Sequence, residues 1–461
     1  MKLFKSLLLA SAAGMVAVSG ASAADLGAKK PSPVEYVKAC YNPLWGTSGG
    51  FVIPGTQTCL RVGGQARFDI GYSQTFGRNS NVLGYRGGGT IFLDAITPSE
   101  YGNVRAFVST TQLYRTGGQR SGTSLRFGQS IDAAPFGGAG ATDFGGSAGF
   151  IQFANFTFGR TASFFGTLGL APSILSPQFA AGVGNVNTAA YTAQLGNGFL
   201  ATIAIEDPTT RRNGVATVSV LGNQITGLSP YSGNRMPNLV AAVRLDQAWG
   251  SAEVSGIVSE IRPGALTVAP ANYASTKYGF SIAGGLKINT PFVSAGDAFF
   301  LQGIYSNGMV NSVIGNQFFG SLASGSVGGV TLNTVDATIN PITGGLSTTT
   351  AWGVNAGFQH FWSPSLSTSI TGGYAEINHA NLNTGVGDFK LWGVGLLNSW
   401  TPVRGLQLAL DLQYINVDPK GRVVDVNKNV GANGFNPAPL GSFTKSSDGA
   451  FAARFRVTRD F

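Results

Sequence analysis

The last twelve residues of the chain alternate between apolar and polar side chains. Phe455, Val457 and Phe461 share one phase of the alternation, whereas Arg454 and Arg456 share the other. Side chains of a strand point alternately to its two faces, so this segment predicts a strand with one apolar and one wet face. The sequence then stops on an aromatic residue without a polar tail. We therefore expect Phe455, Val457 and Phe461 to lie on a closing strand whose outer face contacts lipid and whose inner face contacts water.

The same alternation returns along the chain in segments of about ten residues, which is typical of strands that cross an outer membrane. Leucines at 406, 408, 410 and 412 alternate with Gln407, Asp411 and Gln413. Further segments with this pattern begin near positions 60, 104, 199, 239 and 278. The pattern predicts an all-β fold, a transmembrane antiparallel β-barrel of about 16 strands.

The connections between these segments fall into two length classes. Short polar turns such as Gly196-Asn197-Gly198 and Ser363-Pro364-Ser365 alternate with long stretches rich in Gly, Ser, Thr and Asn. The long stretches cover 116–146, 207–236, 306–349 and 418–447. Barrels of this kind have short turns on the periplasmic side and long loops on the extracellular side. About 16 strands also leave an aqueous channel rather than a filled core.

The N-terminal region reads as a signal peptide over residues 1–23. Lys2 and Lys5 precede a short apolar run, and Ala21-Ser22-Ala23 forms a small-residue cleavage site. A membrane-anchoring helix is the alternative, but the apolar run is too short to cross a bilayer. We expect residues 24–57 to form a segment on the periplasmic side and 58–461 to form the barrel.

Two cysteines, Cys40 and Cys59, are the only ones in the chain. In an exported protein, two cysteines are expected to form a disulfide, with two free buried thiols as the alternative. The only histidines, His360 and His379, lie far from both cysteines in sequence. Metal and nucleophilic sites need clustered ligands or a base next to a nucleophile, so we predict no catalytic, metal or cofactor site.

Composition supports strands and argues against nucleic acid as a partner. Glycine accounts for 67 of 461 residues, and only 11% of residues are charged. The net charge of +9 comes from dispersed Lys and Arg residues rather than from a basic block. Binding to nucleic acid requires a clustered basic surface, so the sequence does not predict it.

Several segments together resemble a known family. They are 33–40, 53–64, EYGNVRAF at 100–107, FTFGRTASFF at 156–165, 191–199, 246–252, GFQHFW at 357–362 and RFRV at 454–457. These motifs are similar to those of alphaproteobacterial outer-membrane general porins of the rhizobial and Brucella type, over nearly the whole mature chain. The resemblance implies a homotrimeric barrel of sixteen strands in the outer membrane of a Gram-negative bacterium, with a third extracellular loop folded into the pore.

By strand count, the third loop covers about 166–187. General porins set acids on this loop against a basic wall, but residues 161–187 contain no charged side chain here. The field across the pore is then weak, or acids such as Asp132 or Asp143 come from another loop. A loop that lies outside the barrel as a lid is the alternative.

The wet faces of the strands supply the candidate lumen residues, in which arginine exceeds acid. They are Arg61, Arg67, Asp69, Arg86, Asp94, Arg105, Arg244, Lys287, Asp411, Arg454 and Arg456, with Arg160 as a further candidate near the narrowing. Fixed positive charge in a narrow aqueous pore favours anions. A purely structural role in a salt-bridged wall is the alternative for each arginine.

We therefore expect a passive diffusion channel, with outer-membrane lipid, small hydrophilic solutes and ions as partners. A substrate-specific channel is the alternative within this class. An outer-membrane enzyme would need a cluster of catalytic residues, and we find none in the sequence. A secreted adhesin would show a fixed short repeat, which we do not find.

Overall fold

In the computed structural model, sixteen long strands form one closed antiparallel sheet. The structure describes residues 38–45, 49–73, 82–117, 141–175, 179, 184–218, 225–229, 231–264, 275–314, 324–327, 330–339, 345–379, 388–420, 423–424, 444–445 and 447–461. The barrel strands are β1 (Cys59–Ser73), β2 (Leu83–Ser99), β3 (Gly102–Gly117), β4 (Ala141–Phe153), β5 (Phe156–Ala162), β6 (Asn185–Gly196), β7 (Phe199–Glu206), β8 (Asn238–Gln247), β9 (Gly250–Ile261), β10 (Lys277–Asn289), β11 (Ala298–Asn307), β12 (Thr350–Ser363), β13 (Leu366–Asn378), β14 (Phe389–Val403), β15 (Leu406–Pro419) and β16 (Asp448–Asp460). The predicted fold class is confirmed.

The last strand closes the barrel, as the alternation at the C-terminus predicts. Strand β16 pairs antiparallel with β1, and Phe455 lies opposite Ile70. Phe461 and Gly64 exchange two backbone hydrogen bonds of 3.0 Å. A Cβ at Gly64 would lie 2.6 Å from the Phe461 ring, so glycine allows this ring to lie against the first strand. Closure removes the free sheet edge, which a bilayer does not tolerate.

Both faces of the sheet follow the alternation. Large apolar side chains point outward, and Ile203, Val254 and Ile370 are more than 60% exposed. Inward-facing positions carry buried polar groups such as Asp69 and Gln302. An isolated barrel whose outside is apolar needs a bilayer around it, and its polar inside needs water or polar partners. No helix in the described residues is both long and apolar enough to cross a membrane.

One end of the barrel carries the short turns. The β4–β5 turn places Ala154 and Asn155 at φ 47° and 70°, and the β6–β7 turn places Asn197 and Gly198 at 50° and 78°. Two successive residues with positive φ match the twist of the strands they join, and Asn-Gly adopts this conformation readily. The other end carries the long connections, among them 163–184 between β5 and β6.

The described part of the N-terminal segment folds against the short-turn end. Short strands Ala39–Tyr41 and Gly49–Val52 pair as a hairpin, and the second pairs with the start of β1. A disulfide joins Cys40 to Cys59, which confirms the predicted pairing. The predicted signal peptide, 1–23, lies outside the described residues. The division into 24–57 and 58–461 stays a prediction.

At the opposite end, two long connections form a small separate sheet. Strand Val215–Val218 pairs antiparallel with Ile225–Ser229 and parallel with Ala337–Ile339, which in turn pairs with Leu346–Thr348. The buried Asp336 carboxylate accepts hydrogen bonds from the Asn213 and Val310 amides. It also accepts one of 2.7 Å from the Tyr231 hydroxyl. This carboxylate therefore joins the connection after β7 to the connection after β11.

Candidate functional site

The inner faces of β16, β1, β2 and β3 carry a cluster that we call the arginine wall: Arg67, Asp69, Arg86, Arg115, Arg454 and Arg456. The Asp69 carboxylate is fully buried at its centre. It accepts from Arg456 Nε at 2.7 Å, Arg86 Nε at 2.6 Å and Arg67 Nε at 3.1 Å. One carboxylate thus bridges guanidinium groups from three strands that meet only when the barrel closes.

Strand register explains why these arginines meet. Arg86 lies opposite Arg115 on β3 and opposite Asp69 on β1, while Arg456 lies opposite Asp69 from the other side. Like charges that face each other across strands destabilise a sheet unless counter-charges intervene. Asp69 supplies that counter-charge, but the arginine wall keeps more guanidinium groups than carboxylates.

Closer to the short-turn end, a second group centres on Asp94. Arg105 binds the Asp94 carboxylate in a bidentate manner, with both nitrogen–oxygen distances 2.8 Å. The indole Nε1 of Trp45 donates to the same carboxylate at 2.8 Å. Trp45 belongs to the N-terminal hairpin and is buried, so the hairpin reaches the inner face of the barrel. Two-point binding of a planar guanidinium fixes the carboxylate's orientation.

The connection 163–184, here called loop 3, begins after β5 and runs along the inner wall. The buried Glu206 carboxylate of β7 accepts from Ser163 Oγ and the Phe164 amide, both at 2.9 Å. The Glu253 carboxylate of β9 accepts from the Thr167 amide at 2.9 Å. Barrel-wall acids therefore hold the first residues of the loop inside the barrel.

The later residues of loop 3 are held in the same way by more distant strands. Asp411 of β15 accepts from the amides of Ile174 and Leu175, at 2.5 and 2.9 Å. The Asn355 side chain of β12 exchanges two hydrogen bonds of 2.6 Å with the Phe179 backbone. The loop thus spans the interior from β7 to β15. Its inward position confirms the predicted fold and excludes the external lid.

Loop 3 also packs through apolar side chains. Phe165 and Phe179 are buried in a cluster with wall residues such as Ala190, Ala204 and Ile304. A loop without charge can be buried in this way at little electrostatic cost, because its polar backbone groups are hydrogen-bonded. Arg211, from the next connection, reaches into the same region and donates to Ser163 Oγ at 2.5 Å. Complete burial lowers the pKa of Arg211 to about 10.

The charge distribution of this site differs from the usual pattern implied by the family resemblance. The described residues of loop 3 are neutral, and the acids that contact it belong to the barrel wall and point at backbone amides. Of the other suggested acids, Asp132 lies outside the described residues, and the side chain of Asp143 is not among those described. The arginine wall therefore faces a loop without acids in its described part.

The remaining candidates occupy scattered positions. Lys287 faces the lumen, with its nitrogen 5.8 Å from the centre of the Phe300 ring. Arg244 pairs with Asp246 near the short-turn end at 2.9 Å. Arg61 lies over the Phe92 ring, 4.9 Å from its centre. Arg160 lies opposite Asn187 in register. It shares its phase on β5 with Phe156 and Phe158, which are exposed on the outward face, so the register does not direct Arg160 toward the lumen.

Several residues of this site were not predicted from the sequence. Glu206, Gln302 and Asn355 hold loop 3 but belong to no motif. Arg115 shares the phase of Arg105 on β3, a signal that could have identified it as inward-facing. Trp45 carries no periodic signal, because it lies in a single turn of the N-terminal hairpin.

Comparison with known proteins agrees with this architecture. A family model described as "Porin subfamily" matches residues 26–437. Porin Omp2b of Brucella suis is 33% identical over 265 residues, which cover 55% of this chain and 65% of the relative. Porin Omp2a of Brucella canis is 32% identical over 261 residues, with the same coverage. The chain thus spans just under two thirds of the length of these curated relatives.

A solved structure shares the fold at low sequence identity. The outer-membrane channel DcaP of Acinetobacter baumannii superposes with a TM-score of 0.57 at 18% identity, over 89% of this chain and 99% of that one. Since the family model covers most of the sequence and the barrel closes with sixteen strands, the assignment does not depend on a single motif. The chain therefore belongs to the porin family and is a protein of the Gram-negative outer membrane.

Proposed function

We propose that this protein forms a water-filled channel through which small hydrophilic solutes and ions diffuse passively. The observation that carries the proposal is the closed barrel with an inner face of charged groups beside a loop held inside it. Polar groups on the inner face of a barrel are stable only if water or polar partners reach them. A barrel of this strand number is wide enough to hold water. We expect no enzymatic activity.

We further propose a mild preference for anions. The arginine wall holds more guanidinium groups than carboxylates, and loop 3 contributes no acid in its described part. Three acids of the barrel wall accept hydrogen bonds from backbone amides of loop 3: Glu206, Glu253 and Asp411. Their carboxylates are therefore placed to hold the loop and not to attract cations that pass through the channel. Fixed positive charge beside a narrow aqueous path raises the local concentration of anions.

Planar-bilayer recording of the purified, unboiled protein tests both proposals. We expect stepwise conductance that rises with salt concentration, and a reversal potential in a KCl gradient that shows chloride preference. Clear cation selectivity would contradict the anion preference while leaving the channel intact. Failure to conduct under any salt condition would contradict the channel itself.

We propose that three copies associate through the outward face of β1–β3. Between the exposed Ile91 and Tyr114, this face carries Gly87, Gly89, Thr110 and the exposed Gln112, whereas the outward face of β5–β8 is apolar. A side-chain amide that faces lipid is costly, and contact with another protein surface relieves that cost. The part of this face around Gln112 and the two glycines therefore fits a second copy of this chain better than it fits lipid.

A bulky residue on this face tests the association. A Cβ at Gly87 meets no atom within 4 Å, so Gly87→Trp adds bulk outside the barrel without an internal clash. We expect unboiled Gly87→Trp protein to migrate as a monomer on a mild detergent gel. Gly303→Trp is the matched control, because Gly303 is equally open and lies on the outward face of β11. Trimers of unchanged stability in Gly87→Trp would contradict this interface.

A further inference from the structure

Three phenylalanines form a continuous stack on the inner face of neighbouring strands. Phe92 of β2 and Phe107 of β3 have ring centres 5.9 Å apart at 24°, and Phe107 and Phe150 of β4 have centres 5.1 Å apart at 23°. All three rings are partly exposed on the wet side of the wall. Near-parallel aromatic rings attract one another, and their partly exposed surface leaves apolar area in contact with the lumen. We call Phe92, Phe107 and Phe150 the aromatic track.

Guanidinium groups flank both ends of the aromatic track. The Arg61 guanidinium lies 4.9 Å from the centre of Phe92, and that of Arg105 lies 5.3 Å from the centre of Phe150 and 5.7 Å from that of Phe107. Arg105 is engaged by Asp94 and by Gln152, its contact with Gln152 being 3.1 Å. Within the described part of the chain, the Arg61 guanidinium has no carboxylate or hydrogen-bond partner in the structure, although Asp94 lies opposite it in register. Its N–H donors therefore remain available beside the first ring.

The position of the first ring depends on a glycine beneath it. A Cβ at Gly63 would lie only 2.4 Å from the Phe92 ring. Any other residue at this inward position would therefore displace the ring and with it the end of the stack beside Arg61. The flat track and the adjacent guanidinium thus depend on the backbone as well as on the side chains.

We propose that the aromatic track and Arg61 form a binding site for aromatic carboxylates that pass through the channel. This inference rests on the proposed channel function and specifies one class of solute. The solute's ring stacks on the exposed faces of the phenylalanines, and its carboxylate pairs with the Arg61 guanidinium. Aromatic cations are disfavoured because guanidinium groups flank the track. Sugars need a row of hydrogen-bonding groups along the rings, and the groups beside this track are chiefly cationic.

Benzoate is a suitable probe in planar bilayers, with chloride as the current carrier. We expect saturable, concentration-dependent block of the open channel by benzoate, and much weaker block by cyclohexanecarboxylate and acetate. Comparing benzoate with cyclohexanecarboxylate isolates the contribution of ring stacking. Comparing cyclohexanecarboxylate with acetate isolates the contribution of the apolar group. Equal block by all three carboxylates would overturn the aromatic site. Stronger block by a linear glucose oligomer than by benzoate would overturn it in favour of a sugar site.

Two variants assign the block to these residues. We expect Phe107→Leu and Arg61→Gln each to raise the half-blocking benzoate concentration by roughly three- to tenfold, the range of one stacking or ionic contact. Phe158→Leu is the matched control: its ring stacks on Phe156 on the outward face, with centres 5.6 Å apart. Heat-modifiable migration on gels verifies that each variant folds.

The possible failures are distinguishable. Normal conductance without benzoate block, or block that is unchanged in both variants, overturns this inference and leaves the channel function standing. Absence of conductance in the unmodified protein overturns the channel function itself.

Discussion

Two neighbouring regions of the lumen wall use their carboxylates in different ways. On the arginine wall, Asp69 is surrounded by guanidinium groups from three strands, at 2.6–3.1 Å. Where loop 3 meets β15, the carboxylate of Asp411 accepts from two backbone amides, those of Ile174 and Leu175, although Arg454 lies opposite it in register. Both carboxylates are fully buried. One neutralises cations, whereas the other replaces water around a neutral segment of backbone.

This difference bears on the proposed channel, because it keeps the inner wall basic although the described part of loop 3 carries no acid. Carboxylates committed to backbone amides hold loop 3 in place and are less available to passing cations. Acids on the arginine wall are outnumbered, so the wall stays basic. The position of the loop and the proposed preference for anions both rest on this distribution of charge.

The largest effect is expected from Asp69→Asn. Removing one charge from a buried ionic network leaves its partners uncompensated and costs on the order of 3–5 kcal/mol of folding stability. We expect a clear fall in the temperature at which the barrel unfolds. Tryptophan fluorescence and heat-modifiable migration on gels measure this temperature. Asp460→Asn is the control, because Asp460 is exposed and contacts the Gln65 side chain at 2.8 Å. Equal stability of the two variants would remove the distinction between the two kinds of carboxylate.

A smaller effect is expected from Asp411→Asn. Ser173 Oγ and both loop amides donate to one carboxylate oxygen, Oδ2, so the asparagine oxygen can still accept there. Without the negative charge these hydrogen bonds weaken, at a cost of about 1 kcal/mol. We expect faster protease cleavage within loop 3 and noisier single-channel current, with the barrel intact. Asp418→Asn tests specificity, since Asp418 is exposed on the same strand. If cleavage is equally slow in both variants, loop 3 does not depend on Asp411.

A still smaller effect is expected on ion selectivity when charges are removed from the arginine wall. In the double variant Arg67→Gln, Arg456→Gln, we expect the chloride-to-potassium permeability ratio to fall by roughly two- to fivefold, because two fixed charges leave the lumen. The measurement is the reversal potential in a KCl gradient. Arg459→Gln, at the exposed end of β16, is the control. An unchanged ratio would mean that the wall is purely structural.

The smallest effect concerns Asp336, a loop carboxylate that also binds backbone amides. Burial is the main cause that raises its pKa from 3.8 to about 6. Because the folded loops bind this proton more tightly than the unfolded chain, the stability of the loop sheet is greatest below pH 3.8 and falls as pH rises toward about 6. We expect hydrogen exchange near 213–216 and 336–339 to show more protection at pH 4.5 than at pH 7, after correction for intrinsic rates.

Asp336→Asn checks the origin of that pH dependence. An amide does not titrate, so the difference in protection between the two pH values should disappear in this variant. If the difference persists, another group in the loops is responsible.

Much of the barrel could be predicted because alternation is a local property. The phase of Arg454 and Arg456 against Phe455 and Val457 is visible in four adjacent residues. The turn at Asn197-Gly198 carries its own conformational signal. Loop 3 was located by counting strands, and its lack of charge was evident from its composition.

The contacts that hold the site could not be predicted in the same way. Asp411 meets Leu175 across a separation of 236 residues, and Arg456 meets Asp69 across 387. Such pairs depend on the register of every intervening strand, and a shift by one residue would turn each side chain to the other face. The phases of Phe92 and Phe107 were readable, but their stacking required the pairing of β2 with β3.

Strands with one apolar and one polar face can be predicted along this chain from local sequence, because a period of two needs no information beyond neighbouring residues. Only the tertiary structure decided which acids meet arginines and which meet loop amides. Closure of the barrel joins the first strand to the last and brings loop 3 against five strands far apart in sequence, and the strength of a charge interaction depends on the distances that result.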